Sequence, residues 1–407
     1  MSPRFHAEHI GSLIRPYTLL NPTSKGLGLS EQARDVDTAV RDVLQKQIDL
    51  GITPLTNGEY PRANFFAVFF DKLEGFETKP VAIPDGSRTE IPIIRGASTA
   101  GVFKEMPCPV ATEKVRWSKF AFEDEWTQIR NAITSITGDD DKRANELLGT
   151  VKLTIPSPIV HHIRLKRGTA WTEQSGYTTD EEFFADLTAC YRMELQILYE
   201  SGCRYVQVDD PDLTYFCDPD FLVALENDGI YPDELLSTYL RAHNDAICNR
   251  PEGLMMGVHL CRGNFKAEEE LWLAKGSYET IAKRLFTELQ YDAFFLEYET
   301  DRAGGFEPLR FLPKGKTIVL GVVSTKEPGL EDLNVLEDRV RSAARIIAEA
   351  QGSEVEEVLR EQIAVSPQCG FASADFKRLV GSEQRMWEKL ELVRDLAERI
   401  WLEGEQA

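Results

Sequence analysis

Short apolar runs alternate along the chain with longer segments in which apolar residues recur at helical spacing. Such short runs are typical of buried strands, whereas apolar residues three and four positions apart are typical of amphipathic helices. The apolar runs predict eight strands, at residues 6–13, 51–59, 151–155, 205–208, 254–261, 293–297, 317–323 and 363–365. The helical pattern predicts helices near residues 31–50, 121–137, 180–201, 231–248, 277–289, 331–351 and 381–403.

This alternation predicts parallel strands that are joined by helical crossovers. Polar candidate residues stand at or just after the carboxyl ends of the strands: Ser12, Glu59, Asp209, His259, Cys261, Glu297 and Cys369. In a (β/α)8 barrel these ends share one face, which holds the active site. A doubly wound open sheet is the alternative, but it would separate the first and last strands. We therefore predict an α/β fold, a (β/α)8 TIM barrel, with residues 1–407 forming a single domain.

One segment departs from the alternation of strands and helices. Residues 75–118, approximately, are rich in proline, glycine and threonine and contain only short β-like pieces. This composition predicts a β-hairpin-like insertion after the second strand. No glycine-rich phosphate loop follows any predicted strand, so the sequence gives no support to nucleotide binding.

Composition and charge narrow the classes of partner. The chain has 46 Lys and Arg residues against 67 Asp and Glu residues, a formal net charge of -21. This acidic balance argues against nucleic acid or an anionic membrane surface as a partner, because both require a basic face. The sequence has neither a transmembrane-length apolar run nor a signal peptide at its start, and its seven cysteines are scattered. We expect a cytoplasmic protein with reduced thiols.

A candidate metal site lies at the ends of three predicted strands. His259 and Cys261 are two residues apart, so on an extended backbone both side chains point to the same side. An imidazole and a thiolate together provide half of the ligands of a zinc site. If the strands are neighbours, Glu297 and Cys369 complete a four-ligand set. The alternative is that His259 is a hydrogen-bonded core residue and Cys261 a small buried apolar one.

The spacing of these ligands favours a catalytic over a structural zinc ion. Structural zinc sites usually have closed ligation with short Cys-x-x-Cys spacing, whereas here each ligand ends its own strand or follows it. A zinc ion lowers the pKa of a thiol that it binds, so that the nucleophilic thiolate forms at neutral pH. The pattern therefore predicts a site that activates a small-molecule thiol.

Other polar residues near the predicted mouth suit an amino acid substrate. Asp209 can bind an ammonium group, or it can be a turn residue beside Asp210 and Pro211. Glu59 can contact an amine or a hydroxyl group, or it can be a solvated loop acid. Ser12 and the adjacent backbone, with help from Arg15, can hold a carboxylate.

These residues together resemble the catalytic C-terminal barrel of the cobalamin-independent methionine synthase family. The matching pieces keep their order along the chain: Ile10-Gly11-Ser12, Asn57-Gly58-Glu59, Gln207-Val208-Asp209-Asp210-Pro211, His259-Leu260-Cys261, Leu296-Glu297 and Gln368-Cys369-Gly370. The resemblance implies that His259, Cys261, Glu297 and Cys369 bind Zn2+. It also implies that Ile10, Ser12, Glu59 and Asp209 hold the amino acid part of a homocysteine-like thiol.

The chain also departs from that family at three places. The additional N-terminal barrel that helps to bind polyglutamyl folate in the full-length enzyme has no counterpart here. The histidine that serves the family as acid after the seventh strand is absent, since this place reads Val322-Val323-Ser324-Thr325. The folate-stacking tryptophan after the third strand is not evident either. His161 and His162 are the remaining histidines that can reach the mouth from the third strand's loop.

Three functions follow as hypotheses. The first is a zinc-dependent thiol S-alkyltransferase that transfers a methyl group to a homocysteine-like thiol, in methionine biosynthesis. The second is a thiol transferase or C–S lyase that uses a non-folate electrophile, like the epoxyalkane:coenzyme M transferases. The third is a barrel that binds zinc or a thiol metabolite without catalysis. The intact four-ligand set argues against the third, and the missing acid argues against efficient use of methyltetrahydrofolate.

Overall fold

The computed structural model describes residues 4–20, 29–63, 65–82, 90–91, 105–263, 265–267, 270–272, 274–372 and 380–402. Its strands are β1 Leu73–Ala82, β2 Glu105–Trp117, β3 Leu153–Pro156, β4 Tyr205–Asp210, β5 Met255–Leu260, β6 Phe265–Ala267, β7 Glu270–Trp272, β8 Ala293–Glu297, β9 Thr317–Val323 and β10 Ile363–Pro367. Its α-helices are Tyr17–Leu20, Leu29–Asp49, Ala67–Phe70, Glu123–Thr137, Asp141–Gly149, Asp180–Glu200, Pro219–Asn227, Pro232–Ile247, Ala282–Glu288, Leu333–Gln351, Val355–Gln362 and Glu383–Ala397.

Six strands form one parallel sheet in the order β10-β9-β8-β5-β4-β3. Every residue of β3, β4, β8, β9 and β10 is buried, as expected for strands that are covered on both faces. The strands enter the sheet in chain order, apart from the β6–β7 pair, and most of their connections contain an α-helix. This is the pattern that crossover connections produce.

Two extended segments continue this sheet on its outer strands. Ala7 forms a parallel bridge with Val365 of β10, and Leu55 forms one with Val151, just before β3. The two segments are joined to each other, because the Leu13 amide donates to the Gly58 carbonyl over 3.0 Å. This arrangement confirms the predicted α/β fold of the (β/α)8 type. The first two predicted strands, however, are isolated bridges rather than continuous strands.

Side chains from several of these strands pack together as one apolar cluster. The cluster comprises Ile10, Tyr205, Ala293, Phe295, Val319 and Ala364. A buried ammonium group lies beside it, since Lys152 donates to Glu8 Oε2 over 2.9 Å and sits 4.5 Å from the Phe295 ring centroid. The packed cluster ties the first segment to the later strands and so supports the strand ends that carry the polar candidates.

The predicted insertion is an antiparallel pair. β1 pairs with β2 in a register that runs from Leu73↔Trp117 to Ala82↔Glu105, with one irregularity between Glu74 and Phe76. The hairpin-like insertion after the second strand is therefore confirmed in its described part. Residues 83–89 and 92–104, which were predicted within the insertion, lie outside the described residues. The prediction of a single domain from residue 1 to residue 407 stays a prediction.

Several described elements were not predicted from the sequence. They include the α-helices Tyr17–Leu20, Ala67–Phe70, Asp141–Gly149, Pro219–Asn227 and Val355–Gln362, and the short antiparallel pair β6–β7. All seven cysteines lie within the described ranges, and none of them forms a disulfide bond there. Among the described helices, none combines the length and the apolar character that crossing a membrane would require.

Candidate metal centre and substrate cavity

Four potential metal ligands converge at the carboxyl ends of β5, β8 and β10. His259 lies near the end of β5, Cys261 follows that strand, Glu297 ends β8, and Cys369 follows β10. One ligand atom from each residue lies within 4.8 Å of every other, and all four residues are buried. Tetrahedral zinc with bonds of about 2.0–2.3 Å requires ligand atoms roughly 3.3–3.8 Å apart. The four groups are therefore close enough to bind one metal ion.

The two thiols of the group lie in contact with each other. Cys261 Sγ lies 3.3 Å from Cys369 Sγ, and the Gly263 amide donates to Cys261 Sγ over 3.2 Å. The hydrogen bond from Cys261 and the nearby His259 lower the pKa of Cys369 to about 6, although burial opposes them. The same hydrogen bond, together with burial, raises the pKa of Cys261 well above its usual value. The contact between the two sulfur atoms thus favours the thiolate form of Cys369, the form that binds metal ions.

His259 is oriented by a carboxylate on the neighbouring strand. Its Nδ1 lies 3.2 Å from Asp209 Oδ1, while its Nε2 lies 3.3 Å from the Gln368 carbonyl. Burial lowers the pKa of His259, but the hydrogen bonds to Asp209 and Cys369 outweigh burial and raise it to about 10. Histidine ligands usually donate their second ring N–H to a carboxylate or carbonyl group, which fixes the ring. The contact of Nδ1 with Asp209 leaves Nε2 as the ring nitrogen available to a metal ion.

Both oxygens of Glu297 have hydrogen-bond donors. Oε1 accepts from the Arg262 amide over 2.8 Å, and Oε2 lies 3.1 Å from Lys326 Nζ and 3.6 Å from the Arg302 guanidinium. Burial alone would raise the pKa of Glu297, but Lys326 and the Arg262 amide outweigh it and lower the pKa. Glu297 is therefore held as a carboxylate. Lys326 also lies 3.5 Å from Glu299 Oε1, so its ammonium group is shared between two acids.

A small cavity of about 50 Å³ opens beside the thiols. Its walls are formed by Ile10, Ser12, Glu59, Phe65, Asp209, Pro211, His259, Cys261, Cys369 and Gly370. Four residues predicted to contact substrate, and three predicted to bind metal, thus surround one space. Glu297 is fully buried and is not among the lining residues.

The loop after β10 is tied to the loop after the first segment. The Phe371 amide donates to the Ser12 carbonyl over 2.9 Å, and the Ala372 amide lies 3.4 Å from Ser12 Oγ. Gly370 is needed for this approach, because a Cβ atom there would lie 2.0 Å from Ser12 Oγ. Since Ser12 Oγ accepts that contact, its O–H remains available to donate to a bound carboxylate. The loop that carries Cys369 and the residue that faces the substrate are thereby coupled.

Glu59 is held at the cavity wall in an unusual backbone conformation. Its φ is 57°, in the left-handed region that non-glycine residues seldom adopt and that often marks functional sites. The Thr154 hydroxyl donates to Glu59 Oε1 over 2.8 Å, and Arg62 lies 3.9 Å from the same oxygen. Burial and the nearby Asp209 raise the pKa of Glu59, against the opposing charge of Arg62. Arg62 is itself fixed by two hydrogen bonds to Glu125, at 2.8 and 2.9 Å.

Arg15, His161 and His162 lie away from the cavity wall. The Arg15 guanidinium donates to the backbone carbonyls of Glu59 and Arg62, at 2.9 and 2.6 Å, so it supports the loop that carries Glu59. Its predicted help in binding a carboxylate stays a prediction. His162 Nε2 lies 3.1 Å from Asp180, and His161 packs edge-on against the Phe66 and Phe70 rings. Neither histidine is among the lining residues.

Sequence reasoning missed several residues that shape this centre. Phe65 and Pro211 line the cavity, Gln207 contacts Asp209, and Lys326 with Arg302 holds Glu297. Pro211 and Gln207 stand within a motif already singled out, so proximity to Asp209 was an available signal. The remaining three lie in loops after other strands, where the sequence gives no indication of distance.

The centre is not the largest cavity of the described structure. A space of about 810 Å³ is lined by residues that precede the strands, among them Arg4, Asn249, Asp292 and Thr317. In barrels of this type the active site lies at the carboxyl ends of the strands, not at the amino ends. The chemistry of the four potential ligands, rather than volume, therefore makes this centre the candidate functional site.

Comparisons with known proteins agree with this picture. The family described as the catalytic domain of cobalamin-independent synthase matches residues 169–391. The uncharacterized protein YxjG of Bacillus subtilis is 31% identical over 406 residues, which cover 98% of this chain and 95% of that protein. The methionine synthase of Pyrococcus furiosus is 22% identical over 405 residues, covering 97% of this chain and 94% of that enzyme.

A solved structure has a similar backbone over the same length. The putative vitamin-B12 independent methionine synthase from Listeria monocytogenes covers 98% of this chain, and this chain covers 99% of that one. The TM-score is 0.69 and the sequence identity is 25%. The likeness extends over the whole described barrel and is not confined to the residues around the four ligands.

Proposed function

Since this chain belongs to the family of the cobalamin-independent synthase catalytic domain, we propose that it is a zinc-dependent thiol S-methyltransferase whose acceptor is a homocysteine-like thiol. The observation that carries the proposal is the convergence of His259, Cys261, Glu297 and Cys369 within 4.8 Å, beside a cavity lined by acidic and hydroxyl groups. A barrel that only bound a metabolite would not require four metal ligands next to that cavity.

The donor set favours zinc. Two thiolates, one imidazole and one carboxylate are soft and borderline ligands, which suit zinc better than magnesium or calcium. When bound, zinc favours the deprotonated, nucleophilic form of a thiol beside it. The protein contributes a dry environment, because the lining residues Cys369 and His259 are only 2% and 3% exposed. A nucleophile in such a site is not shielded by water.

The cavity walls suit the amino acid end of the acceptor. Ser12 Oγ can donate to a carboxylate, and Asp209 and Glu59 can accept from an ammonium group. Of the Asp209 side chain, 12% remains exposed, although Oδ1 is already in contact with His259. These three residues lie on loops or strand ends from three different parts of the barrel. Binding both charged groups of the acceptor would direct its thiol toward the two cysteines.

The transfer itself is a displacement at carbon. The electron pair of the acceptor sulfur forms the new S–C bond while the bond between the methyl carbon and the donor breaks. The leaving group takes the electron pair of the broken bond, and a basic leaving group must also gain a proton. A positioned acid typically contributes about 10²–10⁴-fold to such a step.

A second candidate is alkyl transfer from a non-folate electrophile. It is favoured by the groups that follow β9, where the family's acid would stand. Ser324 Oγ accepts from the Lys326 and Glu327 amides, and the Lys326 ammonium is bound to Glu297 and Glu299. Those two carboxylates, against the effect of burial, raise the pKa of Lys326, so it is a poor proton donor. A donor whose leaving group needs no proton would not require an acid here.

The test is a donor panel with homocysteine as the single acceptor and zinc-loaded protein. Methionine formation is measured with methyltetrahydrofolate and with methyl donors whose leaving groups are neutral once they depart. We expect thiol methylation that requires zinc, with methyltetrahydrofolate slow or inactive. A Cys369→Ser variant serves as the control for metal-dependent turnover.

The outcomes distinguish the candidates. Rapid methionine synthesis from methyltetrahydrofolate would support the methyltransferase, would show that another group replaces the missing acid, and would remove the second candidate. Failure of every donor with every tested thiol, by a protein that holds its zinc, would contradict the proposal and favour a binding role.

A further inference from the structure

Gln207 is a fully buried amide that connects the substrate side of the cavity to the metal side. Its Nε2 donates to Asp209 Oδ1 over 2.7 Å and to the Ile10 carbonyl over 2.8 Å. Asp209 Oδ1 in turn lies 3.2 Å from His259 Nδ1. A continuous series of contacts therefore runs from the first segment, through β4, to a metal ligand on β5.

The orientation of this amide leaves one of its polar atoms unpaired, which is energetically unfavourable. This indicates that its hydrogen-bond partners determine the orientation. Gln207 Oε1 is buried and has no hydrogen-bond partner among the residues that the structure describes. Buried polar atoms are nearly always paired, and an unpaired one destabilises the fold. The opposite orientation would place a carbonyl oxygen against the Ile10 carbonyl and the Asp209 carboxylate, two acceptors. Both N–H groups therefore donate to these two acceptors, while Oε1 has no donor among the described residues.

We propose that Gln207 is a positioning residue that fixes the rotamer of Asp209, so that Oδ1 orients His259 and Oδ2 is left for the ammonium group of the acceptor. The ammonium part of this inference rests on the proposed function, whereas the His259 part does not. Without the Gln207 donor, Asp209 would lose the contact that holds it beside His259. Two effects should follow, one on the metal site and one on the preference for thiols that carry an amine.

The substitution Gln207→Met tests this assignment, because methionine keeps the length of the side chain but removes its donors. Gln362→Met is the matched control. Gln362 is also buried and its Nε2 donates to two carbonyls, those of Pro313 and Lys316 at 3.0 and 3.1 Å, but it stands just before β10, at the opposite end of the strand from Cys369. A general loss of stability from removing a buried amide should therefore affect both variants, whereas a positional effect should affect only the first.

Two quantities are measured on each protein loaded with Co2+, whose absorption bands report on its ligands. The first is metal affinity, by competition with a chromophoric chelator. The second is the affinity for homocysteine relative to 4-mercaptobutanoate, which has the same thiol and carboxylate but no amine. For Gln207→Met we expect about a 10-fold or greater fall in the homocysteine preference and a metal affinity that is weaker by roughly 10- to 100-fold. Gln362→Met should match the wild type in both quantities.

The outcomes separate the two proposals. If the wild type shows no preference for the amine-bearing thiol, the proposed acceptor is wrong, and the metal affinity alone then decides the role of Gln207. If Gln207→Met keeps both the wild-type preference and the wild-type metal affinity, the assignment is overturned. Should this variant fail to fold, Gln207→Asn, which keeps an amide but shortens its reach, is measured in the same way with the same expectation.

Discussion

At the scale of single residues, the structure separates the two interpretations of Asp209 that the sequence allowed. Asp209 lies in β4 one residue before the end of the strand, while its neighbour Asp210 performs the turn role by accepting from the Asp212 and Leu213 amides, both over 2.7 Å. Asp209 itself contacts His259 and faces the cavity. The turn interpretation of this motif therefore applies to Asp210, and the substrate interpretation of Asp209 stays a prediction.

Replacing either thiol should empty the metal site. In Cys261→Ser or Cys369→Ser a hydroxyl group takes the place of the soft anionic ligand that zinc prefers. We expect a loss of affinity larger than the roughly 10- to 100-fold that changes beside metal ligands cause. Elemental analysis of purified protein should give about one zinc per chain for the wild type and little for the variants. Cys248→Ser, a half-buried cysteine outside the centre, is the control, and full zinc in both variants would contradict the ligand assignment.

Removing the charge of Asp209 should affect thiol binding more than metal binding. In Asp209→Asn the side-chain oxygen can still accept from His259, but the carboxylate that would pair with an ammonium group is lost. Losing one partner of a desolvated charge pair costs on the order of 2–5 kcal/mol. Calorimetric titration with homocysteine should show this loss, with zinc content close to that of the wild type. Asp332→Asn, at an exposed helix cap, is the control; unchanged homocysteine affinity would mean that Asp209 binds no ammonium.

At the scale of elements, the centre depends on how closely the strand ends approach one another. The segment after β10 returns to the first segment, and Gly370 lies against Ser12. A Cβ atom there would lie 2.0 Å from Ser12 Oγ and 3.2 Å from Ser12 Cβ, so a larger residue would require Ser12 or the loop to shift. This contact brings the loop of Cys369 next to Ser12, the residue expected to bind a substrate carboxylate. The glycine therefore has a structural role that the chemistry of the metal ligands does not indicate.

Adding one methyl group at Gly370 should therefore weaken both metal binding and thiol binding at the centre. Gly370→Ala would push the Cys369 loop away from Ser12, so we expect lower metal affinity together with lower homocysteine affinity. Gly329→Ala is the matched control, since its added Cβ would meet nothing within 4 Å. Chelator competition and thiol titration measure the two effects. If Gly370→Ala binds metal and thiol like the control, the coupling between the two loops is absent.

The order of the elements could be predicted because apolar runs and helical spacing report local structure. The predicted helix near residues 180–201, for example, is the helix Asp180–Glu200. The first strand was predicted too long: Gly11 has a φ of 140°, and among the described residues the β-bridge of this segment is at Ala7. The β6–β7 pair was missed because strands of three residues show no periodicity. Elements with several turns or a long apolar run are thus the ones that the sequence predicts.

The candidate site could be predicted to a similar extent and for a similar reason. Each candidate metal ligand stands at or just after the end of an apolar run, and parallel strands bring such ends together. The contacts of Lys326 with Glu297 and Glu299 could not be predicted, because they join loops that follow different strands. His161 was expected as a possible participant at the mouth, but tertiary packing places it between two phenylalanine rings.

At the scale of the whole molecule, the fold gathers the residues that line the cavity from nearly the full length of the chain. Ile10 is the first and Gly370 the last of the residues that line the cavity. The net charge of -21 leaves this centre in an acidic molecule, and the cations nearest to it are engaged with its carboxylates. Such a field gives no support to binding a polyanionic partner. A small zwitterionic thiol fits the charges at the cavity better than a polyanion does.

X-ray absorption at the zinc edge, with and without homocysteine, tests the central claim most directly. Zinc held by Cys261, Cys369, His259 and Glu297 should show two sulfur and two nitrogen or oxygen neighbours in the absence of thiol. With saturating homocysteine, we expect three sulfur neighbours, because the substrate thiolate joins the first shell. A sulfur count that stays at two in the presence of bound homocysteine would contradict thiol activation at this centre. A protein that holds no zinc would contradict the centre itself.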